Sequence, residues 1–334
     1  MRVLGIESTC DETGLALVED GVCVLEEVLR SQVEDHAPWH GVVPELAARS
    51  HFEHIQTLYM SMISGTSNAY DAIAVSVRPG LLGSLLVGRT FAETLGVITG
   101  RPVCGVDHLE AHLYSVQMEH TVPYPYLGLL VSGGHTLIAR CLSPTSYEYL
   151  GTTLDDSVGE AFDKVAKMLG MPYPGGPHIE NQARDGDRTR FAFPRTALSA
   201  KDPQRATCFS FSGLKTAVYY LLKSHADADP GFIRDVCASF QEAALESLMT
   251  PLAHCVSQTG IRRVVICGGV AANSRLREIL SQLDVDCYAP SPSRCSDQGI
   301  MIAGQGYHVL QRMLENREKD ITVSPTSRIE LAKP

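Results

Sequence analysis

Short apolar runs alternate with longer helical patterns along the chain, and this alternation constrains the fold more than any other sequence feature. The short runs are rich in β-branched and aliphatic residues, which favour strands, whereas the segments between them carry apolar residues at helical spacing. Strands that alternate with helices predict a mostly parallel sheet with covered faces. The sequence predicts strands at 2–7, 14–20, 22–29, 72–77, 101–106, 126–134, 136–142, 264–269 and 286–290, and helices near 43–64, near 83–98 and from 108, 272 and 297.

The pattern restarts near residue 126, which indicates an internal duplication. The first part reads as three strands, a helix, a strand, a helix and a strand, and this order resembles a ribonuclease-H-like unit. A length of 334 residues is compatible with about two domains. We predict an N-terminal half over 1–125 and a C-terminal half over 126–334, with an insertion at about 150–235 in the second. Ligands of such folds bind in a crevice beside the carboxyl ends of the strands.

The charge balance argues against nonspecific binding of nucleic acid over the whole surface. The chain has 28 basic and 38 acidic side chains and a formal net charge of −10, and a negative surface repels a phosphate backbone. The segment 184–205 departs from this average. It holds Arg184, Arg188, Arg190, Arg195, Lys201 and Arg205 against Asp185, Asp187 and Asp202. Two interpretations stay open, a solvated loop and an edge that contacts phosphate groups.

The N-terminus and the cysteines favour a cytoplasmic protein. A strand-like run begins at once and reaches Glu7, Asp11 and Glu12, unlike a secretory or mitochondrial leader. The sequence has no apolar run of about 18 residues, so we expect no membrane-spanning helix. Its ten cysteines include no C-x-x-C pair, which argues against a zinc ribbon and a thioredoxin-type site. We expect small buried thiols in a reducing compartment.

Two histidines one helical turn apart form a candidate metal site. His108 and His112 follow the strand predicted at 101–106, and their i, i+4 spacing places both side chains on one helix face. We expect Asp297, at the start of the last predicted helix, to supply a third ligand. Two imidazoles and one carboxylate suit Fe(II) or Zn(II). The alternative is that both histidines are ordinary surface or capping residues.

The same segment carries the signals of a helix start. Asp107 is a candidate N-cap, and Glu110 falls at the third helical position, which is the arrangement of a capping box. This order differs from the H-E-x-x-H helix of metalloproteases. Two other histidine pairs are less promising. His36 and His40 bracket a proline, and we expect His51 and His54 to be partly exposed on an amphipathic helix.

Three glycine-containing turns are candidates for anion binding: Ser8–Gly14, Ser132–Gly134 and Gly268–Gly269. Glycine permits close backbone approach, and successive N–H groups can surround an anion. Each turn alone is better explained as a simple connection, but turns at matching places of a duplicated fold favour a nucleotide site. The segment 83–90 has P-loop spacing with Arg89 in place of lysine, and its apolar interior indicates a packed helix.

Ten motifs resemble, in order and spacing, a single family over nearly the whole chain, from Val3 to about Gly304. The motifs are GIESTCDETGLAL, GVVPELAARSH, RPGLLGSLLVG, DHLEAH, LLVSGGHT, GEAFDKVAKMLG, YPGGP, FSFSGLKTA, CGGVAANSRLR and CSDQGIMIA. They resemble the tRNA threonylcarbamoyladenosine transferases, called TsaD in bacteria and formerly described as O-sialoglycoprotein endopeptidases. The length of the chain fits the bacterial branch.

The resemblance implies an α/β fold of the actin and hexokinase type (ASKHA), with duplicated ribonuclease-H-like domains and an interdomain nucleotide cleft. It implies transfer of the threonylcarbamoyl group of threonylcarbamoyl-AMP to N6 of adenosine 37, beside the anticodon, with release of AMP. The tRNAs concerned read codons that start with A. The resemblance also implies two partner subunits, a catalytically silent paralogue and a P-loop ATPase.

The resemblance also assigns site residues by position. One divalent metal ion, Fe(II) in preference to Zn(II), falls to His108, His112 and Asp297. Contacts to the adenylate fall on Leu130, Val131, Ser132, Gly133, Gly134, Asp163, Gly176, Glu180 and Asn273. Asp11 and Glu12 match the acidic pair of the family's first turn and are candidate acceptors for the proton of the adenosine amine.

The sequence departs from the family pattern at two places. His40 stands where the family has a flexible glycine before Gly41, and Gln298 stands where the family has asparagine after the aspartate. Two other functions stay open. One is an ATP-dependent small-molecule kinase of the same fold, which would not need His108. The other is a noncatalytic nucleotide-binding scaffold.

Overall fold

A computed structural model of the protein describes residues 1–64, 70–195, 205–225 and 229–316. Its first sheet has the strand order β3-β2-β1-β4-β5. The central strand β1 pairs antiparallel with β2 and parallel with β4, and β4 pairs parallel with β5. The strands are β1 (Arg2–Glu7), β2 (Glu12–Glu19), β3 (Cys23–Ser31), β4 (Ala72–Arg78) and β5 (Val103–Asp107).

The second sheet repeats this topology. Its order is β10-β9-β6-β7-β8, and β6 pairs antiparallel with β7 and parallel with β9. The predicted duplication of an α/β unit is therefore confirmed. Strand β8 was not predicted, because its residues are polar and aromatic and form no apolar run. The strands are β6 (Tyr126–Val131), β7 (Thr136–Ser143), β8 (Ser146–Thr152), β9 (Arg263–Cys267) and β10 (Asp286–Tyr288).

The helices include each one predicted from periodicity, one short helix after β3, and others that lie in the insertion or beside it. They are α1 (Val33–His36), α2 (Pro44–Ser64), α3 (Leu82–Thr99), α4 (His108–Tyr114), α5 (Val158–Met168), α6 (Gly175–Ala183), α7 (Ser212–Lys223), α8 (Pro230–Thr259), α9 (Ser274–Ser281) and α10 (Gly299–Asn316). Among the described residues, no helix combines the length and the apolar character needed for a membrane span.

Two compact units divide the described chain. Residues 1–122, 142–147 and 296–316 form part of unit 1, and residues 123–141 and 148–295 form part of unit 2. The predicted division at residue 125 differs from this at the C-terminus, because α10 packs on the first sheet. A Cβ added at Gly5 would lie 2.2 Å from the carbonyl oxygen of Gly299. Paired glycines therefore let the helix and the sheet approach closely.

The first sheet is covered on both faces, as predicted for strands that alternate with helices. Val3 of β1 packs in a core with Ile302 of α10, whereas Leu4 and Ile6 pack in a second core with Ile55 of α2. Successive side chains of a strand point to opposite faces, so one strand supplies both cores. The uninterrupted burial of residues 3–8 follows from this arrangement.

Helix α3 confirms the packed-helix interpretation of residues 83–90. Leu85 is fully buried, and a Cβ at Gly88 would lie 2.1 Å from Ser8 Oγ. Gly88, which belongs to the apparent P-loop spacing, therefore allows α3 to pack closely against the end of β1.

Candidate active site

Helix α4 starts directly after β5 and carries the two histidines of the candidate metal site. Asp107 caps it, because Oδ1 accepts hydrogen bonds from the backbone N–H groups of Leu109 and Glu110 at 2.9 and 3.2 Å. The predicted N-cap is confirmed. The predicted capping box is not formed, because the Glu110 carboxylate accepts instead from Gln305 Nε2 at 3.1 Å. Helix α10 offers this amide, and the capping motif alone could not reveal it.

The structure brings His108, His112 and Asp297 together within unit 1. One ligand atom of each lies within 4.8 Å of the others. His112 Nε2 is 2.8 Å from Asp297 Oδ1, and His108 Nε2 is 3.6 Å from Asp297 Oδ2. Both imidazoles are buried, and their rings meet edge to face. The donor set of two imidazoles and one carboxylate fits a divalent ion such as Fe(II) or Zn(II).

A buried carboxylate supports His108 from behind. Glu7, the last residue of β1, is fully buried, and its Oε2 lies 3.0 Å from His108 Nδ1. Burial disfavours the charged imidazole, but the carboxylates of Glu7 and Asp297 outweigh it and raise the pKa of His108 to about 9. A metal ion that binds at Nε2 would have to displace the proton that this raised pKa keeps on the ring. Glu7 was not among the predicted site residues, although an acidic residue at the end of a buried strand was a usable signal.

The acidic pair lies at the end of the turn between β1 and β2, where Glu12 is already the first residue of β2. Asp11 is buried, unlike an acidic residue on the surface of an ordinary hairpin. Burial raises the pKa of Glu12 well above its usual value, and the carboxylates of Asp11 and Asp297 raise it further. A carboxylate with a raised pKa is a stronger proton acceptor than an ordinary one.

His51 is fully buried, so the expectation that it is partly exposed was wrong. Its Nδ1 lies 2.7 Å from Thr13 Oγ1, and its Nε2 lies 3.0 Å from the carbonyl oxygen of Cys10. Burial lowers the pKa of His51. The ring therefore ties α2 to the turn that holds the acidic pair. An amphipathic pattern cannot distinguish a hydrogen-bonded buried histidine from an exposed one.

The first departure from the family pattern falls on a strained backbone position. His40 has φ 55°, in the left-handed region, and follows the short 3₁₀ turn Ala37–Trp39. Glycine adopts this conformation without the steric cost of a Cβ. His40 therefore adopts the left-handed conformation that suits glycine, and its Cβ makes this conformation strained.

The predicted adenylate residues lie in unit 2, beginning with the turn between β6 and β7. Leu130 and Val131 are fully buried strand residues, so they can offer a ligand only backbone groups. Gly133 and Gly134 are exposed, and a Cβ at either would meet no neighbour within 4 Å. Ser132 closes the turn, since its backbone N–H donates to the carbonyl of His135 at 2.8 Å. Open backbone beside two glycines is suited to a phosphate.

Helix α5 begins against this turn. Its N-cap Ser157 donates from Oγ to the carbonyl of Gly133 at 2.5 Å and accepts from the N–H of Glu160 at 3.0 Å. A Cβ at Gly159 would lie 2.5 Å from the carbonyl of Ser132, so glycine permits this contact. The positive end of a helix therefore lies close to the glycine turn, and such an end favours an anion.

The remaining predicted adenylate residues lie at two helix contacts of unit 2. Asp163 of α5 accepts from the N–H of Gly175, next to Gly176, at 2.7 Å. Glu180 of α6 accepts from the N–H of Ser274 at 2.9 Å. The neighbouring Asn273 caps α9 through Leu276 N–H at 3.0 Å. The structure thus places Asp163 beside the start of α6, which contains Gly176, and Glu180 beside the start of α9, which Asn273 caps.

The second glycine turn of unit 2 follows β9. Gly268 has φ 89°, and a Cβ there would lie 2.6 Å from the carbonyl oxygen of Val131. The turn that leads to Asn273 therefore requires glycine where it passes the end of β6.

Two pairs of arginines in the basic segment have different surroundings. Arg190 pairs with Asp235 at 3.4 Å, and Arg195 pairs with Glu246. Arg184 and Arg188 are exposed and line a cavity of about 130 Å³ together with Glu180. Lys201 and Asp202 lie outside the described residues. Arg205 is exposed as well. We carry the phosphate-contact hypothesis forward for Arg184 and Arg188, which line this cavity.

Two α/β units of equal topology define a protein of the actin and hexokinase type of fold, and solved structures show the same fold. The crystal structure of full-length HypF, in its phosphate- and nucleotide-bound form, is similar with TM-score 0.61 at 15% identity, over 93% of this chain and 46% of HypF. The activator of the 2-hydroxyisocaproyl-CoA dehydratase from Clostridium difficile, with bound ADPNP, gives TM-score 0.53 at 14% identity, over 97% of this chain and 100% of the activator.

Sequence comparison identifies the family. The family model of TsaD, tRNA N6-adenosine threonylcarbamoyltransferase, matches residues 23–304. A protein of that name from Borrelia garinii subsp. bavariensis is 43% identical over 99% of this chain and 97% of its own length. Another from Geotalea uraniireducens is 43% identical over 96% of this chain and 95% of its own length. The chain belongs to the TsaD family.

Proposed function

We propose that the chain transfers the threonylcarbamoyl group of threonylcarbamoyl-AMP to N6 of adenosine 37 in tRNAs that read codons starting with A. Its membership of the TsaD family supports the reaction class. The observation that carries the proposal is the buried cluster of His108, His112 and Asp297, because a kinase or a scaffold of this fold would not require it.

Chemistry sets what the protein must supply. The bond that forms joins N6 to the carbamoyl carbon, and the bond that breaks joins that carbon to the phosphate oxygen of AMP. AMP leaves as a stable anion and needs no strong acid. The adenine amine is a poor nucleophile, because its lone pair is delocalised into the ring. Catalysis therefore depends on positioning and on removal of the N6 proton.

Glu12 is the proposed proton acceptor. Its raised pKa makes it a stronger proton acceptor than an ordinary carboxylate, and it lies beside the buried Asp11. Its carboxylate takes the proton that N6 loses as the new carbon–nitrogen bond forms. Asp11 keeps the pKa of Glu12 high by like-charge repulsion.

The turn Ser132–Gly134 is the proposed phosphate site of the donor. Two exposed glycines and the start of α5 offer backbone N–H groups and a positive helix end to an anion. Asp163 and Glu180 are proposed contacts to the adenosine part, and Gly176 and Asn273 shape the same region. Leu130 and Val131 would contribute through the backbone alone.

The proposed metal ligands are His108, His112 and Asp297, with Fe(II) favoured over Zn(II). A divalent ion held there would supply Lewis-acid polarisation of the donor carbonyl. The chain's part is to present two imidazoles and a carboxylate with their ligand atoms within 4.8 Å of one another. Burial of both imidazoles excludes competing water from the ligand atoms.

The proposed macromolecular partners are tRNA, a catalytically silent paralogue and a P-loop ATPase. An anticodon-loop adenine must leave its stack to react, which is typical of single-stranded RNA recognition. Arg184 and Arg188 are the proposed contacts to tRNA phosphates, because both are exposed beside Glu180. We place the reaction in the cytoplasm, where tRNA is modified.

The decisive experiment compares wild type, His108→Ala and His120→Ala for metal content and for threonylcarbamoyl transfer. The transfer assay supplies tRNA, threonylcarbamoyl-AMP and both proposed partner subunits, and it follows modified adenosine and released AMP. We expect His108→Ala to lose the metal and at least about a hundredfold in rate, the scale on which single electrostatic contributions act. His120, exposed and outside the cluster, is the matched control.

Other outcomes point to the other functions. Full transfer by His108→Ala would contradict the proposed role of the cluster. Phosphorylation of a small molecule by both variants, without modified tRNA, would identify a kinase. Nucleotide binding without any turnover, in the presence of both partners, would identify a scaffold.

A further inference from the structure

We propose that Glu7 is a positioning residue of the metal centre, which holds His108 in the one tautomer that can bind a metal ion. The inference rests on the proposed function, because it takes His108, His112 and Asp297 as metal ligands. It adds a residue outside the ligand set and assigns it a specific task.

The geometry fixes both oxygens of the Glu7 carboxylate. Oε1 accepts from the backbone N–H of Thr9 at 2.6 Å, and Oε2 lies 3.0 Å from His108 Nδ1. Thr9 Oγ1 lies 3.3 Å from the same ring nitrogen. The Glu7 side chain has no exposed surface, so solvent does not compete for these contacts.

These contacts determine where the imidazole proton sits. A carboxylate oxygen only accepts hydrogen bonds, so Nδ1 of His108 must carry the hydrogen. The lone pair of the neutral ring is then on Nε2, the atom that faces Asp297. A carboxylate behind a ligating histidine also makes the ring a stronger donor and fixes its orientation.

Burial of this carboxylate is costly, which argues that it has a task. Among the described residues, the polar groups placed against it are the Thr9 N–H and the His108 ring, and no lysine or arginine pairs with it. Taking a carboxylate out of water costs several kcal/mol per ion in general. A neutral side chain of similar size would avoid that cost but would not dictate the tautomer.

Glu7→Gln tests the inference with almost no change in shape. The amide must point its NH₂ either at the Thr9 N–H, which places two donors face to face, or at His108 Nδ1. The second arrangement transfers the ring hydrogen to Nε2 and removes the lone pair that a metal needs. We therefore expect the dissociation constant for Zn(II), measured against a chromophoric chelator, to rise about 10–100-fold.

Matched variants separate this inference from the proposed function. Glu19→Gln, in the same sheet but paired with Arg2 near the surface, should bind Zn(II) within about twofold of wild type. His108→Ala should lose tight binding. Wild-type affinity in His108→Ala would overturn the proposed metal site itself. Wild-type affinity in Glu7→Gln, with weak binding in His108→Ala, would overturn only the role of Glu7.

A spectroscopic measurement excludes a purely structural role. In wild-type protein saturated with Zn(II) and labelled with ¹⁵N-histidine, His108 should show a protonated Nδ1 whose hydrogen resonates far downfield and exchanges slowly. In saturated, folded Glu7→Gln, that resonance should move upfield. An unchanged Nδ1–H resonance would show that Glu7 does not hold the ring.

Discussion

Arg78 donates a hydrogen bond from Nε to Asp107 Oδ2 at 3.0 Å, while the other oxygen of Asp107 caps helix α4. One carboxylate therefore joins the end of β4 to the start of the helix that carries His108 and His112. His108 is the first residue of that helix, so its position depends directly on this cap.

Asp107→Ala should destabilise the protein and weaken metal binding together. Loss of an N-cap costs about 0.5–2 kcal/mol, and the partly buried Arg78 also loses its partner. Urea denaturation should show a loss of about 1–3 kcal/mol, and the Zn(II) dissociation constant should rise. Asp107→Asn is the control, since asparagine also caps helices. An equal loss in both variants would contradict the capping argument.

Glu12→Gln should lower kcat for threonylcarbamoyl transfer by about 10²–10⁴-fold, the range of general-base catalysis. The metal content should not change, because Glu12 is not in the cluster. Asp11→Asn removes a negative neighbour that raises the pKa of Glu12. Because the pKa of Glu12 should fall in this variant, the acidic limb of its pH profile of kcat/KM should shift to lower pH. Retention of more than half of kcat by Glu12→Gln would exclude it as the base.

Reversal of the two arginines that line the cavity beside Glu180 should weaken tRNA binding specifically. Arg184→Glu combined with Arg188→Glu should raise the KM for tRNA about tenfold or more at low salt, because phosphate contacts dominate such binding. The KM for threonylcarbamoyl-AMP should not change. Arg190→Glu with Arg195→Glu is the control, since both arginines already have acidic partners. A raised KM for the donor would instead place Arg184 and Arg188 in the adenylate site.

Gly88→Ala should destabilise the protein through a clash on the buried side of α3. The new Cβ would lie 2.1 Å from Ser8 Oγ and 3.1 Å from Ser8 Cβ. Overpacking of this kind costs about 1–3 kcal/mol, partly offset by the better helix propensity of alanine. Adding Ser8→Ala removes the closer contact, so the double variant should lose less stability than the two single changes summed. Strict additivity in urea denaturation would contradict the contact.

Local sequence rules predicted the parts of the site that depend on neighbours along the chain. The cap at Asp107 and the shared face of His108 and His112 follow from spacing within one short helix. The two repeated sheets followed from the alternation of strands and helices and from its restart near residue 126. Each of these features depends on neighbouring residues or on the order of elements along the chain, so the sequence pattern was sufficient to predict it.

Features that depend on distant contacts could not be predicted in the same way. Glu7 and His108 are 101 residues apart, and their contact requires β1, β4 and β5 to lie side by side. The packing of α10 on the first sheet also depends on that tertiary arrangement. Helix α8 was not predicted because its own residues are buried on most sides of the helix. Such a helix has no polar face and therefore little amphipathic signal.

The burial of His51 predicts that acid destabilises the protein through this residue. Burial lowers its pKa in the folded state, while the unfolded chain keeps a value near 6.5. Below about pH 6.5 the unfolded state therefore binds a proton that the folded state excludes, and stability falls by up to about 1.4 kcal/mol per pH unit until the folded pKa is reached. His51→Gln keeps an N–H donor for the Cys10 carbonyl but cannot titrate. Urea denaturation at pH 7.5 and 5.5 should show a larger loss in wild type than in this variant. Equal losses would mean that His51 takes up its proton in the folded protein as readily as in the unfolded chain.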